Sequence, residues 1–445
     1  MSLSPGICYL EAFDAIMQRL AEAALKLDLD DPTYVHSFVS PRISVIDDTA
    51  TVTYYFRKDN PSSCRLDGLG YGIARFRRDG LTWTMAERDE ILTGDERGPA
   101  RLLEGLSVAA RIPQVDPREQ GAARVLTLLN RTRVQNLLGS YGMAADSGIS
   151  STVVPLYTGD VKMSVDGTII EGRKQLTELF ETPGHLSLMP WSAHTMGPSL
   201  ILTGDRNAVS IHYGRTHCKL PRPEGLQSFV ETPAVGPDDR GLLRYSVNRW
   251  EARLEADGEW RVAERLSRSP NTDDMRKLLA EAVGWSGSGS EQRTGISRLD
   301  NLIDRAALAD LVVGFGMALD AHVPLTKFFE DSACVTIDGA SVPIGEIASA
   351  LSTGQDGVPV GHVVSSPVIQ IAGETASIVS TIYLYSAAAS GTVELHAIRY
   401  ARWRARYSGN GGWRLAALDL LAANSPAARA VLVEALGHRQ GGSSS

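Results

Sequence analysis

The sequence predicts an α+β chain of three tandem units, each with helices first and antiparallel strands after, and with the first unit truncated. Three internal repetitions predict it. A closing strand pair carrying a Trp occurs three times. A His, Pro and hairpin segment also occurs three times. A long helix ending in Asp occurs twice.

The closing pair is the clearest marker. Residues 69–92, 243–268 and 394–421 each read as a long alternating strand, a Gly-containing turn and a second strand holding Trp83, Trp260 or Trp413. Alternation across a tight polar turn is a hairpin signature. Before each pair, HSFVSPRISVIDDTATVTYYF, HTMGPSLILTGDRNAVSIHYG and HVVSSPVIQIAGETASIVSTIY align at His36, His194 and His362, and at Pro41, Pro198 and Pro367. Turn-favouring residues sit at Asp47–Asp48, Gly204–Asp205 and Gly373–Glu374.

RTRVQNLLGSYGMAADSG and RAALADLVVGFGMALDAH share an initial Arg, a GMA core and Asp146 or Asp320. Their apolar residues follow helical spacing. A short segment and a second helix, EGRKQLTELFE or IGEIASALS, follow. The first unit shows one helix, EAFDAIMQRLAEAALKL, directly before His36. It reads as the counterpart of the later helix, so this unit is expected to lack any helix that could supply an acid or a phenol. The units span 1–113, 114–285 and 297–436, with a flexible tail over 437–445. GWSGSGSEQRTG reads as a flexible linker.

With 445 residues, 43% hydrophobic and 22% charged, the chain has globular composition and room for several domains. A net charge of −8 argues against a nucleic-acid partner. Cys8, Cys64, Cys218 and Cys334 lie far apart without a CxxC pair, which fits reduced thiols and a cytoplasmic protein. No signal peptide is read in the first residues. No run of about 18 apolar residues exists, so no membrane span is expected. GLGYG at 68–72 lies inside a strand, and neither a P-loop nor GxSxG occurs. No cofactor is expected. His322 adjoins Asp320 without a third ligand, so no metal is expected either.

The order of elements resembles the nuclear transport factor 2-like, or SnoaL-like, superfamily, over nearly the whole chain as three copies. The resemblance implies a cone: a curved, mixed but mainly antiparallel sheet wrapped around helices, with a deep apolar pocket. The spacing of Tyr141, Asp146 and His194 is similar to the branch of bile-acid and scytalone dehydratases. On that likeness His194 is the general base, Asp146 orients it, and Tyr141 polarises a carbonyl. Asp320 and His362 form a possible second site without the phenol, since Phe315 stands where Tyr141 does. Trp191, His212, Tyr213, Arg265 and Phe315 are expected to line the pockets. Strand alternation gives His212 and Tyr213 opposite facings. The first unit keeps only His36 and is expected to be structural. Members of this superfamily commonly pair through their sheets. Three copies then make one internal pair and leave one over, which leads us to expect a homodimer.

The expected function is a cofactor-independent lyase, a dehydratase acting on an apolar polycyclic or polyketide-like metabolite. A SnoaL-like cyclase or isomerase, and a non-catalytic binding or scaffold protein, remain open beside it, because fold alone does not choose among them.

Overall fold

The computed structural model of the chain describes residues 4–108, 112–189, 191–219, 240–286, 294–352, 358–387, 393–409 and 412–437. The linker around 287–293 and the tail beyond 437 lie outside them.

The first unit comprises α1 (Pro5–Asp30), β1 (Val35–Ile46), β2 (Thr49–Asn60), β3 (Arg65–Asp79), β4 (Thr82–Leu92) and α2 (Gly98–Ser107). The second comprises α3 (Ala122–Asp146), α4 (Ser150–Val153), β5 (Tyr157–Val165), β6 (Thr168–Glu171), α5 (Gly172–Phe180), α6 (Pro183–Leu186), β7 (Ala193–Met196), β8 (Leu200–Thr203), β9 (Asn207–Lys219), β10 (Arg240–Leu254), β11 (Trp260–Arg268) and α7 (Asp273–Trp285). The third comprises α8 (Ser297–Ala321), β12 (Phe329–Ile337), β13 (Ala340–Ser341), α9 (Ile347–Ser352), β14 (Val358–Val364), β15 (Val368–Ala372), β16 (Thr375–Ala387), β17 (Val393–Tyr407), β18 (Trp413–Ala422) and α10 (Pro426–Gly437).

The second and third sheets have the same order, β6-β5-β11-β10-β9-β7 and β13-β12-β18-β17-β16-β14, with β8 and β15 paired to β9 and β16. All pairings in them are antiparallel except β5 with β11 and β12 with β18. The first sheet is a meander, β1-β2-β3-β4. It has no counterpart of the β5–β6 hairpin, and that is where the unit is truncated.

The opening helix, however, is present. The last turn of helix α1 carries Asp28, whose carboxylate accepts from Nδ1 of His36 at 2.9 Å and from its backbone N–H at 2.6 Å. Helices α3 and α8 hold His194 and His362 in the same way. The expectation that the first unit lacks this helix is therefore corrected. The reason is that EAFDAIMQRLAEAALKL runs straight into its strand, with no intervening hairpin to mark it as the opening element.

The ends of α3 and α8 are buried on every side, from Leu137 to Asp146 and from Leu311 to Asp320. Such a helix must be wrapped all round. Its own cone covers one side and a neighbouring unit the other. Asn136, ten residues before Asp146, bonds both the N–H and the C=O of Ile43 in the first unit. Gln18, ten residues before Asp28, bonds the N–H of Ile369 and the C=O of Pro367 in the third. Asp310, ten residues before Asp320, pairs with Arg131, which also reaches the C=O of Ile201 in the second. The three units thus close a ring, each gripping the next. The expected internal pair with one unit left over does not form.

Candidate active site

Each unit carries a His–Asp dyad, and each dyad is completed by a tyrosine from another unit. The Tyr55 hydroxyl on β2 donates to Asp146 Oδ2 at 2.5 Å. Tyr213 on β9 donates to Asp320, and Tyr400 on β17 donates to Asp28. This hydroxyl turns a local pair into a joint between units. Tyr55 and Tyr213 each lie nineteen residues after their unit's His, a spacing visible in the repeat. The third unit has Thr381 at that place and uses Tyr400 on the next strand instead.

The second unit has the fullest set of polar groups. Asp146 is fully buried, and both its oxygens are satisfied. Nδ1 of His194 donates to Oδ1 at 2.6 Å, its backbone N–H to Oδ2 at 2.7 Å, and Ser192 Oγ to Oδ1 at 2.6 Å. Burial pushes the Asp146 carboxyl up, but His194, Ser192 and Tyr55 together outweigh it and hold the pKa below the ordinary value. An ionised Asp146 only accepts, so the neutral imidazole keeps its proton on Nδ1 and presents a lone pair on Nε2. The His194 side chain retains 14% exposure, whereas Asp146 has none.

Facing this dyad is a wall of aromatic and basic groups. The Tyr141 ring stands edge-on to His194 with centroids 6.3 Å apart and packs on Trp250 at 5.0 Å. Arg265 on β11 donates to the Tyr141 oxygen at 2.6 Å and lies 4.8 Å from that ring's centre. Because the phenol oxygen accepts from Arg265, its O–H stays available to a ligand. His212 is buried beside Trp250, and burial aided by Arg265 pushes its pKa down to about 3. Neither ring nitrogen of His212, nor Trp250 Nε1, nor Arg265 Nε has a protein partner. Buried polar groups are normally satisfied, so this wall offers unused hydrogen bonds to a ligand. His185 on α6, unnoticed in the sequence, sits 6.3 Å from His194, and burial lowers its pKa to about 4.

Not every expected pocket residue is there. Tyr213 points away from the second cone, into its bond with Asp320. The alternation with His212 is real, but the outer facing is a unit interface rather than solvent. Trp191 packs against Gly94 of the first unit, where even a Cβ would lie 2.1 Å from the ring. Phe315 packs edge-on against Phe328, Phe329 and Trp403 as core. In the third unit Leu418 pairs with Trp403 as Arg265 pairs with Trp250, so the guanidinium and the phenol are lost together. Asp320 and His362 remain bonded at 2.6 Å. Among the described residues, no three His, Cys, Asp or Glu side chains gather as a metal site requires.

The family model of the SnoaL-like domain matches residues 126–266 and 300–419. The chain belongs to the SnoaL-like domain family. Its cones are NTF2-like folds, two of them matched by the family model and the third being the truncated first unit. Among solved structures, it is similar to an NTF2-like protein with a cystatin-like fold from Novosphingobium aromaticivorans. The identity is 25%, over 37% of this chain and 99% of that one, with a TM-score of 0.31. A cystatin-like protein of unknown function from Nostoc punctiforme shares 14%, over 32% and 93%, with a TM-score of 0.25. A candidate scytalone dehydratase from N. aromaticivorans shares 16%, over 32% and 86%, with a TM-score of 0.27. No curated protein matches. No helix among the described residues is long and apolar enough to cross a membrane.

Two predictions follow from the dyads. Tyr55→Phe removes a donor from a buried carboxylate and is expected to cost about 1–3 kcal/mol, measured by urea unfolding. A cost below about 0.5 kcal/mol would show that the joint between units does not depend on this bond. The dyads also differ in sign against pH. Asp146, with its pKa depressed, contributes stability present above its unfolded pKa of about 4, lost as pH falls through the folded value. Asp28 is pushed up, burial outweighing His36 and Tyr400, so its contribution is lost as pH rises through its folded value. Unfolding from pH 3 to 7 should therefore show Asp146→Asn losing most near neutrality and Asp28→Asn losing least there.

Proposed function

We propose that the second unit is a cofactor-independent lyase, a dehydratase of an apolar, carbonyl-bearing small molecule of polycyclic or polyketide type. The observation that carries the reading is the pairing of a dyad with a donor wall: Asp146 and His194 at 2.6 Å, faced by Tyr141 held by Arg265 at 2.6 Å. Nε2 of His194 takes a proton from the carbon beside the carbonyl. The electron pair moves onto the carbonyl oxygen, where the Tyr141 O–H and the Arg265 charge stabilise it. Asp146 stabilises the imidazolium. The enolate then collapses, the β-hydroxyl leaves with the proton from Nε2, and an enone and water result. Arg265 also suits a substrate carboxylate or thioester phosphate.

A cyclase or isomerase would use the same groups. The third unit, with Phe315 and Leu418 in place of the donors, supports a binding or scaffold role for that copy. The ring of units completes each dyad inside one chain, so the reading requires no homodimer. The four cysteines are thiols rather than disulfides, which supports a reducing, cytoplasmic setting.

The test is a panel of apolar β-hydroxy ketones followed by mass and absorbance, with α-proton exchange into deuterium oxide measured on the matching saturated ketones. A dehydratase removes 18 mass units as water. Exchange with unchanged mass points to the isomerase, and neither exchange nor turnover sinks the enzymatic reading.

A further inference from the structure

One apolar cavity lies outside the cones. It lies where the three units meet, between α1, α3 and α8, and has a volume of about 190 Å³. Its walls are apolar, with Leu10, Phe13, Met17, Leu302 and Val313 among them. Five charged residues line it: Asp14, Arg131, Arg215, Arg305 and Asp310. Four are matched in pairs, Arg131 with Asp310 at 2.9 Å and Arg305 with Asp14 at 3.5 Å. Arg215 is the fifth. It is 2% exposed, yet no carboxylate among the described residues lies within ion-pair distance of it.

The surroundings of Arg215 sharpen the point. One of its terminal nitrogens donates to the Tyr385 hydroxyl at 3.1 Å, which also accepts from Arg57 at 3.3 Å. Arg57 is neutralised by Asp59 at 2.8 Å. Nε of Arg215 has no partner. Tyr383, which also lines the cavity, lies 6.0 Å from the Arg215 guanidinium. A guanidinium buried without its counter-charge is costly, and an anion arriving beside it recovers much of that cost.

We propose that this central cavity is a binding site for a small monocarboxylate with an apolar body. The carboxylate pairs with Arg215, and the body lies against Phe13, Met17 and Val313. The site is separate from the second cone, and the proposal does not depend on the dehydratase reading.

Isothermal titration of the full chain with octanoate tests it. One site per chain is expected, weakened at least tenfold in Arg215→Gln. Octan-1-ol, the same body without charge, is expected to bind Arg215→Gln as it binds the wild type. Ala309→Phe, on α8 rather than the strand of Arg215, fills the wall and should lose both ligands. It decides the matter if Arg215→Gln fails to fold. Arg265→Leu removes the guanidinium of the second cone and should leave octanoate binding unchanged. Failure of octanoate to bind the wild type overturns the proposal. Binding that survives both Arg215→Gln and Ala309→Phe overturns it too, as does binding lost on Arg265→Leu.

Discussion

His194→Ala is expected to lower turnover by about two to four orders of magnitude, the usual worth of a positioned general base. Folding should persist. The backbone N–H at 194 still donates to Asp146, as do Tyr55 and Ser192, so the buried carboxylate keeps three of its four hydrogen bonds. The stability lost should be about 1–3 kcal/mol, that of one bond to a charged group. His362→Ala removes the equivalent imidazole from the third unit, where Phe315 and Leu418 replace the donors, and should leave turnover within about twofold. Steady-state rates on the substrate identified by the ketone panel, beside thermal melts, distinguish these outcomes. A His194→Ala enzyme at full rate would end the assignment of the base. A large loss on His362→Ala would move the chemistry to the third unit.

Gly142→Ala is expected to lower stability and turnover together. A Cβ at Gly142 would lie 2.1 Å from the carbonyl oxygen of His194 and 3.1 Å from the Tyr55 hydroxyl. The obstacle is backbone on a strand, so either α3 or β7 must shift. Overpacking of this kind costs about 1–3 kcal/mol, against a gain of up to about 1 kcal/mol in helix propensity. The shift also moves His194 and Tyr55 relative to Asp146, so turnover should fall with stability. Gly316→Ala is the matched control. Its Cβ would lie 2.2 Å from the carbonyl oxygen of His362. It should lose comparable stability but little turnover. If both variants lose turnover equally, the units are coupled through the ring. If neither melts earlier, the close approach of helix to strand is not needed.

The identity of the GMA glycine shows how far the sequence could be read. The repeat displayed it twice, beside an Asp, and the fold class followed from such repetition and from strand alternation. Both are local properties, because hairpin registers and helix faces depend on residues a few positions apart. The pairings of His194 with Asp146 and of His362 with Asp320 were legible because an Asp closes the opening helix and a His precedes the Pro hairpin in both copies, 48 and 42 residues apart. Asp28 was missed because truncation removed the hairpin that marks the opening helix elsewhere.

What the sequence alone determined is a triplicated α+β chain of the SnoaL-like family, with one unit richer in polar groups than its copies. The tertiary structure decided how the copies meet. Tyr213 was expected in a pocket and Tyr55 and Tyr400 were not singled out, yet each completes a dyad in another unit. Arg265 became the partner of Tyr141, and Arg215 became a buried charge at the centre. The physical reason is that a buried carboxylate or guanidinium takes its partners from whichever chain segment packs beside it. That segment is fixed by the closing of three units on one another, which no local spacing encodes.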